Sequence, residues 1–315
     1  MMEKIPLVAV VGPTASGKTA LSVEIAKALD GEIVSADSMQ LYKYMDIGSA
    51  KPTPEERAQA KHWLVDEIDP KTPFNVSDYQ KLARSYIAEI AARGKLPIVS
   101  GGTGLYINAL LYDMDFSAPK GDDGFRQRVW DECGHDPQKV HERLRSLDPD
   151  AAEAIHPNNV KRMLRAIERL EHGEAKLAAF TDIETPYPDY DSLLIGLDRD
   201  RSELYDRIDR RVDKILEAGL EDEVRSLMAK GFTSKDIAMK GIGYKEVIDC
   251  LSEGRPIEEA AELIRKNTRH YARRQLIWLR RYPQMHWVTL QGDAFDEEAY
   301  SRMKETIATW LKNGR

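Results

Sequence analysis

The chain has 315 residues, with 46 lysines and arginines against 53 aspartates and glutamates, a formal charge of −7, and 42% apolar side chains. That balance excludes a disordered chain, a collagen-like repeat and a disulfide scaffold. No apolar run reaches the roughly 18 residues a membrane span requires. The two cysteines, Cys133 and Cys250, stand far apart with no CxxC or His-rich company. A zinc site is therefore not indicated, and a cytoplasmic protein with no membrane partner is expected. Net acidity argues against indiscriminate binding of nucleic acid and is silent about a local basic face.

In chain order, residues 5–11 predict a buried strand, too short for a signal-peptide core. Residues 19–29 carry Leu21, Ile25, Ala26 and Leu29 at helical spacing. A second strand, 32–35, ends at Ala36-Asp37-Ser38; a helix follows at 76–92. A third strand, 96–100, ends at Gly101-Gly102-Thr103-Gly104. Alternating strands and helices predict a parallel sheet with helices on both faces, and ligands gather at the carboxyl ends of such strands. A turn-rich stretch at 117–124 opens a charged, helical region without a clear strand. The strand pattern returns at 193–197, followed by helices at 203–218, 220–229 and 257–281, and a last helix within 293–315. The expected architecture is an α/β core resembling the P-loop NTPases, residues 1–118 and 191–315, interrupted by a helical insertion at 119–190.

Gly12-Pro13-Thr14-Ala15-Ser16-Gly17-Lys18-Thr19 matches the Walker A pattern, with the required strand before it and helix after it. Backbone amides of such a loop turn inward around phosphate oxygens, and the helix adds its positive end. Lys18 supplies a point charge and Thr19 a hydroxyl for Mg²⁺. The loop does not specify which bond breaks. A nucleotide hydrolase or switch usually places an Asp for Mg²⁺ at the end of an apolar strand, but strand 96–100 ends in Ser and Gly. Asp37 is the other candidate, as a metal partner, as a general base, or as a cap of the following turn.

Two helices carry further cations. Arg207 and Arg211 share a face beside the apolar stripe Leu204, Ile208, Val212 and Ile215. Arg211 alone could equally pair with Asp209 or Asp213. Between Arg265 and Arg281 lie seven Lys or Arg and no Asp or Glu, with Tyr271 and Trp278 interleaved. That is a local +7 patch suited to nucleic-acid phosphates, with aromatics able to stack on unpaired bases. His62 and His156 have no second ligand or nucleophile nearby and read as structural.

Further segments join these. Ser35-Ala36-Asp37-Ser38-Met39-Gln40-Leu41-Tyr42, Met45-Asp46-Ile47-Gly48-Ser49-Ala50-Lys51-Pro52, Gly101-Gly102-Thr103-Gly104-Leu105-Tyr106, Ile155-His156-Pro157-Asn158, Gly241-Ile242-Gly243-Tyr244-Lys245 and Arg273-Arg274-Gln275-Leu276-Ile277-Trp278-Leu279-Arg280 follow the Walker A box in that order. With them the chain resembles the tRNA dimethylallyltransferase family over nearly its whole length. Without the zinc finger of the eukaryotic members, it is similar to the bacterial form.

The resemblance implies transfer of a dimethylallyl group from dimethylallyl diphosphate to the exocyclic amine of the adenosine 3′ of a tRNA anticodon. It implies Asp37 as base, Arg211 as a diphosphate ligand beside residues 12–19, and Thr103 at the adenosine or its neighbours. It also implies tRNA contacts at Asp37, Ser38, Met39 and Gln40, at Lys161, Arg162, Met163, Leu164 and Arg165, at Lys240, Gly241, Ile242, Gly243, Tyr244 and Lys245, and at Arg273, Arg274, Gln275 and Arg280. Arg126 is a further contact, with Arg128 as its alternative. Met39 and Tyr42 fit either the alkyl pocket or ordinary core. A monomer is expected. The rivals are a small-molecule kinase using ATP in the same loop, a prenyltransferase of free adenine nucleotides, and an RNA-binding P-loop switch.

Overall fold

The computed structural model describes residues 4–114, 123–172, 185–292 and 296–313. Two compact units are present: Met1–Met114 with Pro186–Arg315, and Asp115–Thr185. The expected edge of the insertion at 118/119, the turn-rich stretch up to residue 122, residues 173–184, and residues 293–295, 314 and 315 of the expected tail helix lie outside the described residues.

The first unit begins β1 Ile5–Val11, α1 Lys18–Ala28, β2 Gly31–Ala36, α2 Pro54–Gln59, β3 His62–Trp63, α3 Val76–Ala92, β4 Leu96–Gly101 and α4 Gly104–Leu111. The second unit holds α5 Asp123–Glu132, α6 Pro137–Leu147, α7 Pro149–Ala154 and α8 Val160–Glu171. The chain then returns to the first with β5 Tyr190–Asp198, α9 Arg201–Glu217, α10 Leu220–Ala229, a 3-10 turn Ala238–Lys240, α11 Tyr244–Glu253, α12 Ile257–Leu279, β6 His286–Thr289 and α13 Glu297–Asn313.

All six strands are parallel, in the order β3-β2-β4-β1-β5-β6. A parallel sheet covered on both faces is built from continuous apolar runs, and β1 is such a run, with Leu7 to Val11 wholly buried. Val8, Val10, Ile33, Ile98 and Ile195 face a layer from α1 and α13, including Leu21, Ile25, Met303 and Ile307. Helix α3 packs on β2 and β4 through buried Tyr79, Ala83, Ile87 and Ile90. It starts at a capping box in which Asn75 accepts from Ser77 and Asp78 while Asp78 accepts from Asn75, an arrangement worth about 1 kcal/mol. Truncating Ile87 to Ala would cost about 2–5 kcal/mol.

The α/β architecture expected from the sequence is the one found. The edge strands β3 and β6 were not expected. At two and four residues they carry almost no pattern of their own, and their extended form is fixed by pairing, Ile33 with His62 and Ile195 with His286. Strand β5 starts at Tyr190, earlier than the apolar run alone suggests, because Tyr190, Asp191 and Ser192 pair with Ile5, Pro6 and Leu7.

The second unit has its own core, with Val129, Val140, Leu144, Ile155, Met163 and Ile167 buried together. Asp136 caps α6 and Asp148 caps α7, each accepting a first-turn amide.

Candidate active site

The carboxyl ends of β1, β2 and β4 gather the groups that matter. After β1 the chain turns through residues 12–17 into α1. Ala15 has φ +62 and Gly17 φ +102; alternation between left- and right-handed backbone points successive amides to one side. Helix α1 has no side-chain cap and no acid in its first turn. The amides of Ala15, Gly17, Lys18 and Thr19 meet no acceptor among the described residues.

Three of the loop's backbone groups are held from behind. Arg199 Nε donates to Ser16 O at 3.0 Å and Arg207 Nε to Ala15 O at 3.0 Å. The Thr14 amide donates to Gln275 Oε1 at 2.8 Å, and Gln275 Nε2 donates to Gly102 O at 2.9 Å. Arg199 is buried, its charge paired with Glu203. Lys18 Nζ rests on Pro13 O at 2.7 Å.

Asp37 follows β2. Its Oδ1 accepts the amides of Met39 at 2.8 Å and Gln40 at 3.4 Å, so the residue does cap the following turn. No hydrogen bond reaches Oδ2 among the described residues. The cap thus fixes the plane of the carboxylate without consuming both oxygens. Thr103 Oγ1 accepts the Ser38 amide at 3.1 Å, tying the turn after β4 to the turn after β2 instead of capping α4.

Some of these groups line a cavity of about 380 Å³, of which Thr103 is not a lining residue. Thr14, Lys18, Thr19, Arg211 and Asp37 supply its polar wall, and Ile208, Val212 and Ile215 of α9, Ile264 of α12, Ile237 and Ile242 its apolar wall. Burial lowers the Lys18 ammonium to about 8, opposed by the Asp37 charge and reinforced by Arg211. Burial also lowers Arg211, with Asp37 opposing. The Tyr271 hydroxyl is pushed up to about 12 by burial and the Asp37 charge. A second cavity of about 530 Å³ shares Lys18, Thr19 and Arg211 and adds Arg207, Arg210 and Lys214. Among the described residues no group of three or more His, Cys, Asp or Glu assembles that would hold a metal ion.

Of the residues expected at RNA, Ser38, Met39, Gln40, Lys240, Gly241, Ile242, Arg274 and Gln275 line the first cavity. Lys245, Arg273 and Arg280 are exposed. Tyr244 is wholly buried and Gly243 is buried beside it. Gln275 is 6% exposed and engaged with the loop as above. Tyr42 is core, at 4% exposure. In the second unit Lys161 and Arg165 are exposed and Arg162 half-buried on α8, while Met163 and Leu164 belong to that unit's core. Arg126 lies 3.3 Å from buried Glu168, and Arg128 sits over the Phe125 ring.

The basic helix needs a correction. Its sequence window contains no acid, but α9 supplies them from outside it. Arg269 is paired with Asp209, and Arg265 with Asp213 and with Glu262. Arg280 Nη2 is 3.5 Å from Asp198. The charge facing solvent is therefore well below +7, and the acids that Arg211 could have paired with serve α12 instead.

Two residues of the site region were missed by sequence reasoning. Arg199 follows β5 directly, a position at which a strand end feeds the ligand side of the sheet. Glu223 of α10 carried no local signal; its carboxylate accepts the amides of Asp46, Ile47 and Gly48.

Known proteins resemble this chain along its length. Residues 40–282 match the profile of the IPP transferase family. A tRNA dimethylallyltransferase of Acetivibrio thermocellus is 45% identical over 303 residues, 96% of this chain and 97% of the relative. The crystal structure of a full-length tRNA isopentenylpyrophosphate transferase from Bacillus halodurans superposes with a TM-score of 0.74 at 40% identity, covering 99% of this chain and 98% of that one. A eukaryotic dimethylallyltransferase acting on tRNA gives a TM-score of 0.85 at 26% identity, covering 98% of this chain and 80% of the other.

Proposed function

This chain belongs to the IPP transferase family and is a tRNA prenyltransferase, and we propose the following division of labour among its residues. The donor is dimethylallyl diphosphate and the acceptor is the exocyclic amine of the adenosine 3′ of the anticodon. The observation that carries this reading is that Lys18, Arg211 and Asp37 share one cavity with an isoleucine-rich wall. A cationic end suits a diphosphate, an apolar wall suits a five-carbon chain, and a carboxylate suits an amine that must lose a proton.

The amine is a poor nucleophile because its lone pair is delocalised into the ring. As nitrogen attacks the allylic carbon, Asp37 takes the proton on Oδ2, and the bond from that carbon to the diphosphate oxygen breaks with its electrons on the leaving group. Negative charge grows on the diphosphate, where the amides of Ala15, Gly17, Lys18 and Thr19, the Lys18 ammonium and Arg211 meet it. Removing one such fixed donor typically costs about 3 kcal/mol of transition-state stabilisation. The loop is stiff before the donor arrives, because Arg199, Arg207 and Gln275 hold its outward groups.

The Thr19 hydroxyl in the same cavity suits Mg²⁺, which takes one or two protein oxygens together with substrate phosphate and water. When bound it supplies positive charge to the departing diphosphate.

The target base is turned out of its stack to reach Asp37. Thr103 and the turn of Ser38, Met39 and Gln40 meet it, while Lys161, Arg162, Arg165, Arg126, Lys240, Lys245, Arg273, Arg274 and Arg280 meet the RNA backbone and its neighbours. Met163, Leu164, Gly243, Tyr244 and Gln275 serve by shaping the segments that carry these side chains. A working monomer is proposed, in the cytoplasm where tRNA is found. No described helix is long and apolar enough to cross a membrane.

Incubation with radiolabelled dimethylallyl diphosphate and unmodified tRNA, followed by digestion to nucleosides, tests the reading. Label is expected on one adenosine. ATP consumed without an RNA acceptor, and no labelled nucleoside, would instead indicate a small-molecule kinase.

A further inference from the structure

Residues 45–50 form a loop whose amides point inward at a carboxylate from far along the chain. Glu223 Oε2 accepts from Asp46 and Ile47, each at 2.8 Å, and Oε1 accepts from Gly48 at 3.1 Å. The next amide, Ser49, donates to the Tyr244 hydroxyl oxygen at 3.1 Å, and that hydroxyl donates to Glu223 Oε1 at 2.7 Å. Four successive amides are thus bound by two side chains of α10 and α11. The fit is tight: a Cβ on Gly48 would stand 2.6 Å from the Tyr244 ring.

The loop is tied in turn to the proposed base. Gln40 Nε2 donates to Ala50 O at 3.1 Å, and the amides of Gln40 and Met39 donate to Asp37 Oδ1. Gly48 and Ser49 line the same cavity as Asp37. A contiguous set of hydrogen bonds therefore runs from Glu223 through residues 46–50 and Gln40 to the carboxylate.

We propose that Glu223, with Tyr244, is a positioning residue for the transfer step, holding the 45–50 loop so that Asp37 presents Oδ2 to the acceptor amine; this rests on Asp37 being the base. The carboxylate is required because three amides need an acceptor at both oxygens. A carboxamide offers one oxygen and sets an N–H against the remaining donors.

The test is Glu223→Gln, with Asp37→Asn and the double variant, assayed for transfer to unmodified tRNA over donor concentrations up to saturation. Glu223→Gln is expected to lower kcat about ten- to a hundred-fold, as a small misplacement of a reacting group does. KM for dimethylallyl diphosphate is expected to stay within about three-fold, because the loop that grips diphosphate is untouched. In the Asp37→Asn background the same change is expected to add almost nothing, since there is no base left to position. An unchanged kcat in folded Glu223→Gln, or losses that multiply in the double variant, would overturn the proposal. Should Glu223→Gln not fold, Tyr244→Phe carries the same comparison, with the same outcomes for and against. Full turnover by Asp37→Asn would sink the base assignment itself; loss there without loss at Glu223 sinks only the positioning role.

Discussion

Two backbone nests stand side by side in this molecule and are used in opposite ways. The amides of Ala15, Gly17, Lys18 and Thr19 meet no acceptor among the described residues, while those of residues 46–49 are filled by Glu223 and Tyr244. Both exploit the same property, that consecutive amides on one side of a turn concentrate positive potential. Left open, the device receives an anion from outside. Filled by an internal carboxylate, it becomes a fastening for whatever the loop adjoins. The difference lies in what surrounds each: arginines and a glutamine hold the first from behind, and a glutamate occupies the second from the front.

The largest effect is expected where the fastened side meets chemistry. Asp37→Asn should lower single-turnover transfer about 10²- to 10⁴-fold and leave tRNA affinity within a few-fold. Equal loss of both would make Asp37 a binding residue and break the contrast. Next comes the open side. Arg211→Ala should cost about 10²- to 10³-fold in kcat/KM, with the loss following the donor and not the RNA, as titrations of each substrate would reveal.

Charge reversal at exposed Arg274 is expected to weaken tRNA binding and flatten its salt dependence by about one counterion. Arg269→Ala should leave that slope nearly unchanged, because Arg269 is already paired with Asp209. Equal slopes for the two variants would restore the unrelieved basic face.

The smallest effect is a pH dependence. Lys18 is held at about 8 in the free site, so it is charged below that pH and loses its proton above it. Affinity for the diphosphate donor should therefore fall as pH rises through 8, with proton uptake on binding measurable by calorimetry in two buffers. A flat profile up to pH 9.5 would remove Lys18 from the diphosphate clamp.

What the sequence made legible was local. The Walker A run, the short strand before Asp37 and the apolar stripe of α9 each need only neighbours within a turn or two to declare themselves. Arg199 and Glu223 stayed hidden because their partners are remote: Glu223 serves amides 175 to 177 residues away. The same reason explains the overestimated patch on α12. Charge counted along one helix cannot include Asp209 and Asp213, which arrive from another by folding. The edge strands were missed for want of pattern, since a two-residue strand is made by its partner's ladder.

Strand β1 is held between β4 and β5, and the last of the residues that fasten the Walker loop from behind, Gln275, comes late in the chain. On a ribosome adding about 10 residues per second, the gap between the two is on the order of 25 s. Until Gln275 emerges, the phosphate loop of the nascent protein lacks part of its backing, the part from Arg199 and Arg207 having come earlier. Premature termination anywhere before α12 would release a polypeptide with a legible Walker sequence and no competent catalyst.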